Sequence, residues 1–386
     1  MNLPLSMLST RPVPVRYPTP ATRPALLCFS HLRWDFVHQR PQHLLNEAAL
    51  SYRVYFIEEP EFAPVAAHYR MRVAASGVTL LTPVFDIETD HVQQQKVLVQ
   101  GLQHSLGGSQ IVHWFYTPMA LRFVRGMPCD LRVYDCMDEL SAFRFASPDL
   151  VTLEAELLVQ SDLVFTGGKS LFSAKRKLHD DVHCFPSSVD TAHFARARTK
   201  PADPQDQADI AQPRIGYAGV IDERIDLDLI ATAATALPLV QFVMLGPIAK
   251  IDPADLPQAA NIHWLGRKDY AVLPSYMAHW QSAWMPFALN DATKFISPTK
   301  TPEYLAAGLC VTSTAVADVV ESYGRQGLVA IADADTIAAT LQASLSAPGP
   351  EWEIAVNRCL ALMSWAGTWA AMDALMSVRL SVTQGV

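Results

Sequence analysis

The chain has 386 residues, with 30 Lys and Arg against 38 Asp and Glu, and half of its residues are hydrophobic while 18% are charged. At roughly 150 residues per domain this is material for two to three domains with cores of their own, which excludes disorder over the bulk of the chain. The net charge of −8 excludes general binding to a nucleic-acid backbone, which wants a basic face, and no run approaches the roughly 18 apolar residues of a membrane-spanning helix.

Residues 1–24 are rich in proline, carry three arginines and lack a continuous apolar stretch, so they read as a mobile leader rather than a signal peptide. From Ala25 short apolar runs alternate with longer amphipathic segments. Strands are expected at Ala25–Ser30, Arg53–Glu58, Val78–Thr82, Gln110–Phe115, Leu131–Cys136, Asp162–Thr166 and Val182–Pro186, with a helix around Gln42–Leu50 and another over Asp149–Gln160. These runs are β-branched and aromatic without clean alternation, the pattern of strands covered on both faces, and strand–helix alternation implies a parallel sheet. Residues 25–195 are therefore expected to form a first Rossmann-like domain.

Residues 196–213 contain three prolines, many charges and no aromatic residue, and read as a linker or exposed loop. The alternation then restarts over residues 214–351, with strands expected at Arg214–Ala218, Val240–Leu245, Asn261–Leu265, Ser282–Phe287, Leu309–Ser313 and Leu328–Ile331. Residues 352–386 look helical, with Trp365, Trp369 and Met372 along one face. The expected fold class is α/β, two doubly wound units facing each other across a cleft. The six cysteines are scattered without a C-x-x-C pair and read as reduced cytosolic thiols, and the His38/His43 and His179/His183 pairs read as helix-surface residues rather than zinc ligands.

In open α/β sheets ligands sit beyond the carboxyl ends of the strands, so the residues after each strand are the candidates. His31, Arg33 and Trp34 follow the first strand, with Arg40 soon after; Asp138 follows Leu131–Cys136; Gly219 and Arg224 follow Arg214–Ala218; Lys250 follows Val240–Leu245. The segment Ser297-Pro-Thr-Lys-Thr-Pro-Glu-Tyr-Leu-Ala-Ala-Gly308 reads as a helix with Ser297 as N-cap, Pro298 in the first turn and Gly308 just past the end. Such a helix start is an anion site, and Lys300 and Glu303, three apart on one face, suit a diphosphate and a ribose diol.

Phe287–Ser313, with P-T-K-T-P-E-Y-L-A-A-G, resembles the donor-binding motif of GT-B glycosyltransferases, most closely the bacterial group-1 or group-4-like enzymes of surface-polysaccharide assembly. Gly219–Asp228 resembles the loop and helix that open their second domain, and His31–Leu44 and Tyr134–Leu140 are similar to a subgroup of that superfamily. The resemblance covers roughly Ala25 to the C-terminus. It implies a nucleotide-diphosphate sugar donor, of UDP or GDP type, with Glu303 on the ribose hydroxyls, Arg224 and Lys300 on the diphosphate, and Gly219 allowing close approach. Lys250, Ser297 and Thr299 would complete the donor site, and the C-terminal helices would cross back to the first domain. The further glutamate that retaining members carry eight positions before Glu303 is Phe295 here, which leaves the stereochemistry open.

On the acceptor side, transfer to a hydroxyl needs a base, for which Asp138 and Asp135 are the candidates, with His31 beside them. Trp34, Arg40 and His113 are expected to line the sugar or acceptor site, His113 with a core role as the alternative. Two Asp-x-Asp triplets, Asp226/Asp228 and Asp333/Asp335, sit where helices should begin, so no metal and no other cofactor is expected. The implied partners are the nucleotide sugar and a saccharide or lipid-linked acceptor, not nucleic acid. The expected location is cytoplasmic, with peripheral attachment at the inner face of the membrane left open. A non-hydrolysing nucleotide-sugar epimerase and a non-catalytic nucleotide-sugar-binding scaffold are the rival readings.

Overall fold

A computed structural model describes residues 23–383, with side chains through Ser381. The expected leader lies almost wholly outside the described residues. The first sheet contains β1 (Ala25–Phe29), β2 (Arg53–Ile57), β3 (Glu61–Phe62), β4 (His68–Val73), β5 (Thr79–Phe85), β6 (Ile111–Phe115), β7 (Leu131–Cys136), β8 (Leu163–Thr166) and β9 (Val182–Cys184). Its order is β3-β5-β2-β1-β6-β7-β8-β9, with β4 antiparallel on β5 and the other pairs parallel. Alternate residues of β1 enter opposite cores. Leu26 and Cys28 pack with Leu44, Trp114 and the C-terminal helix, whereas Ala25, Leu27 and Phe29 pack with Leu121, Leu157 and Leu171. Burial on both faces is why the strand reads as an unbroken apolar run.

The second sheet contains β10 (Arg214–Ala218), β11 (Gln241–Leu245), β12 (Ile262–Gly266), β13 (Ser282–Met285), β14 (Cys310–Ser313) and β15 (Ala330–Ile331) in the order β12-β11-β10-β13-β14-β15, all parallel. The order reverses direction between β10 and β13, as it does between β1 and β6 in the first sheet, and these switch points open ligand crevices at the strands' carboxyl ends.

The segment 196–213 is less free than its composition implies. It carries a 3-10 turn at Arg196–Thr199 and a short helix at Gln205–Ala208, and Gln207 is fully buried with its amide on Tyr276 O. The C-terminal stretch is two helices. Pro350–Leu360 buries Val356 and Leu360 in the second domain's core, while Trp365–Thr383 lays Trp369, Met372 and Met376 on the first sheet. The crossing is thus made at residues 361–364, and Tyr52 Oη fastens it by donating to Asp373 Oδ1 at 2.6 Å. No described helix is long and apolar enough to cross a membrane.

Candidate active site

The strand ends of the two sheets meet across a cleft. From the second domain Gly219 follows β10, Gly246 follows β11, and the segment after β13 leads to the Lys300–Ala307 helix. That helix begins at Lys300 with Thr299 in the N-cap position, so Ser297 and Pro298 lie just ahead of it in irregular chain rather than at its cap. At the other end Gly308, with φ +84°, closes the helix in the left-handed conformation expected of it. Ser297, Thr299 and Lys300 line the cleft together with Gly219, Arg224 and Asp138. Glu303 is buried one turn on, where its Oε2 accepts from Lys300 Nζ at 2.8 Å.

A Cβ added to Gly246 would stand 1.7 Å from the Gly219 carbonyl oxygen, so the loops after β10 and β11 can approach only because residue 246 is glycine. At Gly219 a Cβ would meet Tyr217 Oη at 2.5 Å, so the glycine there makes room for its own domain's tyrosine. Arg224 forms a fork on Asp222, Nε to Oδ1 at 2.9 Å and Nη2 to Oδ2 at 2.7 Å, and Lys250 Nζ stands 3.6 Å from Glu223 Oε1.

The first domain contributes His31, beyond β1, and Asp138, beyond β7. Both line a cavity of about 530 Å³ whose apolar wall includes Met119, Met137, Leu140 and Phe143 and whose far side is Arg224 and Lys250. Asp138 and Arg224 also border the smaller cavity that holds Ser297 and Lys300, so this pair belongs to the wall between the two adjacent spaces. Burial pushes the Asp138 carboxyl up to about 6, against the opposing pull of Arg224. His31 is pushed down to about 4 by burial and by Lys250, so it is neutral near pH 7. Trp34 packs edge-on to Phe56 at 5.1 Å and borders a neighbouring space shared with Gly246 and Lys300.

Three candidates have other work. Asp135 is fully buried and takes Arg40 in a fork, Nε to Oδ2 at 3.0 Å and Nη2 to Oδ1 at 2.8 Å, while Arg40 Nη1 donates to Phe185 O at 2.7 Å. A carboxylate so engaged is no base for an acceptor; Arg40, at 3% exposure, neutralises Asp135 while still bordering the cavity that holds Ser297 and Lys300. His113 is the third of five residues in β6, not its end, and it packs against Phe29 at 5.3 Å with no exposed surface. It is a core histidine, pushed down to about 3 by burial. His43, expected on a helix surface, instead stacks on Trp365 at 4.6 Å.

Sequence reasoning missed residues whose role depends on the other domain. Gly168 starts the helix after β8, and a Cβ there would fall 2.1 Å from Asp318 Oδ2 and 2.7 Å from Ser297 Cβ of the second domain. Ser170 N–H donates to Asp318 Oδ1 at 2.9 Å and Ser187 Oγ to Ser297 O at 3.0 Å, so this seam is polar and close. Phe295 packs against the first domain's core. The Gly-Gly pair after β8 is one signal in the sequence, and Phe295 stands out there against the family motif without being placed at the seam; nothing local marks Phe143.

No protein-family model matches the chain. TuaH of Bacillus subtilis, named as a glycosyltransferase of teichuronic acid biosynthesis, is 24% identical over 230 residues, which span 54% of this chain and 57% of that relative. Among solved structures, sucrose-phosphate synthase from Thermosynechococcus elongatus superposes with a TM-score of 0.66 over 93% of this chain and all of its own, at 14% identity. The E. coli trehalose-6-phosphate protein bound with UDP-2-fluoro glucose (11% identity, 92% of this chain, 99% of its own) and Anabaena HepE in complex with UDP and glucose (13%, 91% and 99%) also give 0.66. Two parallel α/β sheets in reversed-order topology, matched over nearly their full length by these structures, place the chain by architecture in the GT-B glycosyltransferase fold.

Proposed function

We propose that the protein transfers a sugar from a nucleotide-diphosphate donor to the hydroxyl of a saccharide or lipid-linked acceptor, in the assembly of a cell-surface polysaccharide or glycolipid. The observation that carries the reading is that Asp138 and Arg224 line both of two adjacent cavities, with Lys300 on one side and the apolar-walled space on the other. The donor diphosphate would lie against Lys300, Arg224 and Lys250, and Glu303 would bind the ribose after exchanging part of its pairing with Lys300. Asp138 would take the proton of the acceptor hydroxyl as its oxygen bonds the anomeric carbon. The bond from that carbon to the diphosphate breaks in the same event, and the cations stabilise the departing charge. TuaH and the UDP-bound structural neighbours support the class of chemistry, and the sequence resemblance supports the residue roles.

The reading needs no metal. Asp226 accepts from Leu229 N–H at 2.8 Å and Asp333 from Thr336 N–H at 3.0 Å, so the leading carboxylate of each Asp-x-Asp triplet caps a helix or turn. Titration calorimetry with UDP and GDP tests the donor site. Binding of one of them is expected, weakened by about 1.5–3 kcal/mol in Glu303→Ala, the scale of a lost charged hydrogen bond; an unchanged dissociation constant removes Glu303 from the site. Transfer rates are expected to persist in excess chelator, and full loss restored by magnesium or manganese would overturn the cation assignment. Donor turnover without acceptor would instead mark an epimerase, and nucleotide binding without transfer a scaffold.

A further inference from the structure

The loop after β7 leaves the first domain and takes hold of the second. Arg144 backbone N–H donates to Glu223 Oε1 at 3.0 Å, and its Nη1 to the Lys250 carbonyl at 3.5 Å. A turn, closed by Ala146 N–H on Phe143 O at 3.1 Å, presents the Phe143 ring to two cations of the other domain. Arg224 Cζ lies 5.4 Å and Lys250 Nζ 4.7 Å from its centroid. Both distances are within the reach of a cation–π attraction. Lys250 also has φ +60°, a backbone region that side chains other than glycine take up at a cost and that here lies under the Arg144 contact.

Two positive side chains set beside one ring repel each other; Asp222, forked with Arg224, and Glu223, 3.6 Å from Lys250, each offset the charge of one of them, whereas the ring faces both. A leucine would fill much of the same space but lacks the negative face that attracts both cations. We propose that Phe143 is a positioning residue for the donor diphosphate: its ring holds Arg224 and Lys250 side by side at the cleft. Because the ring belongs to the first domain, its hold on the pair exists only while the domains are closed on each other, whereas Asp222 and Glu223 act from within the second domain. This rests on the donor reading above, and it assigns part of the diphosphate affinity to a residue of the opposite domain.

The test is titration of the full chain with the nucleoside diphosphate that it binds, UDP or GDP, and with the matching monophosphate. In Phe143→Leu the diphosphate affinity is expected to fall about fivefold or more while the monophosphate changes by less than about twofold, and Phe143→Tyr is expected to restore the wild-type ratio. Phe143→Met gives the same comparison should the leucine variant unfold, and thermal midpoints check that each variant is folded. Unchanged diphosphate affinity in the aliphatic variants, or equal loss for both nucleotides, overturns the proposal and makes Phe143 ordinary packing. A wild-type chain that binds neither UDP nor GDP overturns the donor reading and this assignment with it.

Discussion

Asp138 and Asp135 lie three residues apart in Tyr-Asp-Cys-Met-Asp-Glu and look alike in the sequence. Their surroundings separate them. Asp135, inside β7, neutralises a buried guanidinium, and Asp135→Ala is expected to destabilise the fold by about 3–5 kcal/mol in urea unfolding because Arg40 is left buried and unpaired. Asp138, past the strand end, has its pKa raised from 3.8 to about 6, so folding favours its protonated form. Its contribution to stability is then full below pH 3.8 and is lost as pH rises through about 6. Asp138→Asn is therefore expected to be more stable than wild type at pH 7, by up to about 3 kcal/mol. The same variant should lose about 10²-fold or more in turnover with donor affinity nearly intact, and the wild-type rate should rise with pH through about 6. Turnover lowered less than about threefold at saturating substrates would make Asp138 structural.

Elements buried on both faces were legible in the sequence, because an unbroken apolar run has few other places to go. β3 and β4 were not. His68–Val73 is an edge strand with almost every side chain exposed, and its mixture of His, Tyr, Arg and Met shows no buried face to read. The start of the Lys300–Ala307 helix was misplaced because Ser297-Pro298 carries the chemistry of a cap, yet the helix begins at Lys300 and Ser297 meets the first domain through its backbone carbonyl, which accepts from Ser187 Oγ. Segment 196–213 joins the two domains and is mostly exposed, yet it is tied down in ways its polar composition did not announce: Arg198 uses its charge on that same helix. Its Nε donates to Ala306 O at 2.9 Å and its Nη2 to Leu305 O at 3.1 Å, a carbonyl that Gly308 N–H also reaches at 3.0 Å, so the last turn is pinned by side chain and backbone together. Arg198→Ala is expected to cost about 1–3 kcal/mol by chemical denaturation, and amide exchange should quicken at Leu305–Gly308 before it does in β10. Uniform quickening across the second sheet would mean that Arg198 supports the domain rather than the helix.

At the scale of the whole molecule, site residues supplied by one domain were readable and those defined by the approach of two were not. Lys300, Arg224 and Asp138 each follow a strand and could be placed by topology alone, whereas Gly168, Phe143 and Phe295 acquire a role only when the other domain is present. The last helix joins the domains in a second way, because the chain leaves the second core at Leu360 and ends on the first. Met372 and Met376 have no exposed surface, and they share their cluster with Leu26, Val54 and Trp114 of β1, β2 and β6. Truncating such a side chain removes its transfer energy and leaves a cavity. Met372→Ala is therefore expected to destabilise by about 2–5 kcal/mol although the residue lies close to the end of the chain. The loss should fall on the first domain, so hydrogen exchange is expected to quicken in β1, β2 and β6 while β10, β11 and β13 keep their protection. Equal loss of protection in both sheets would show that the two domains unfold as one unit, and no change in either would show that the helix contributes nothing to the first core.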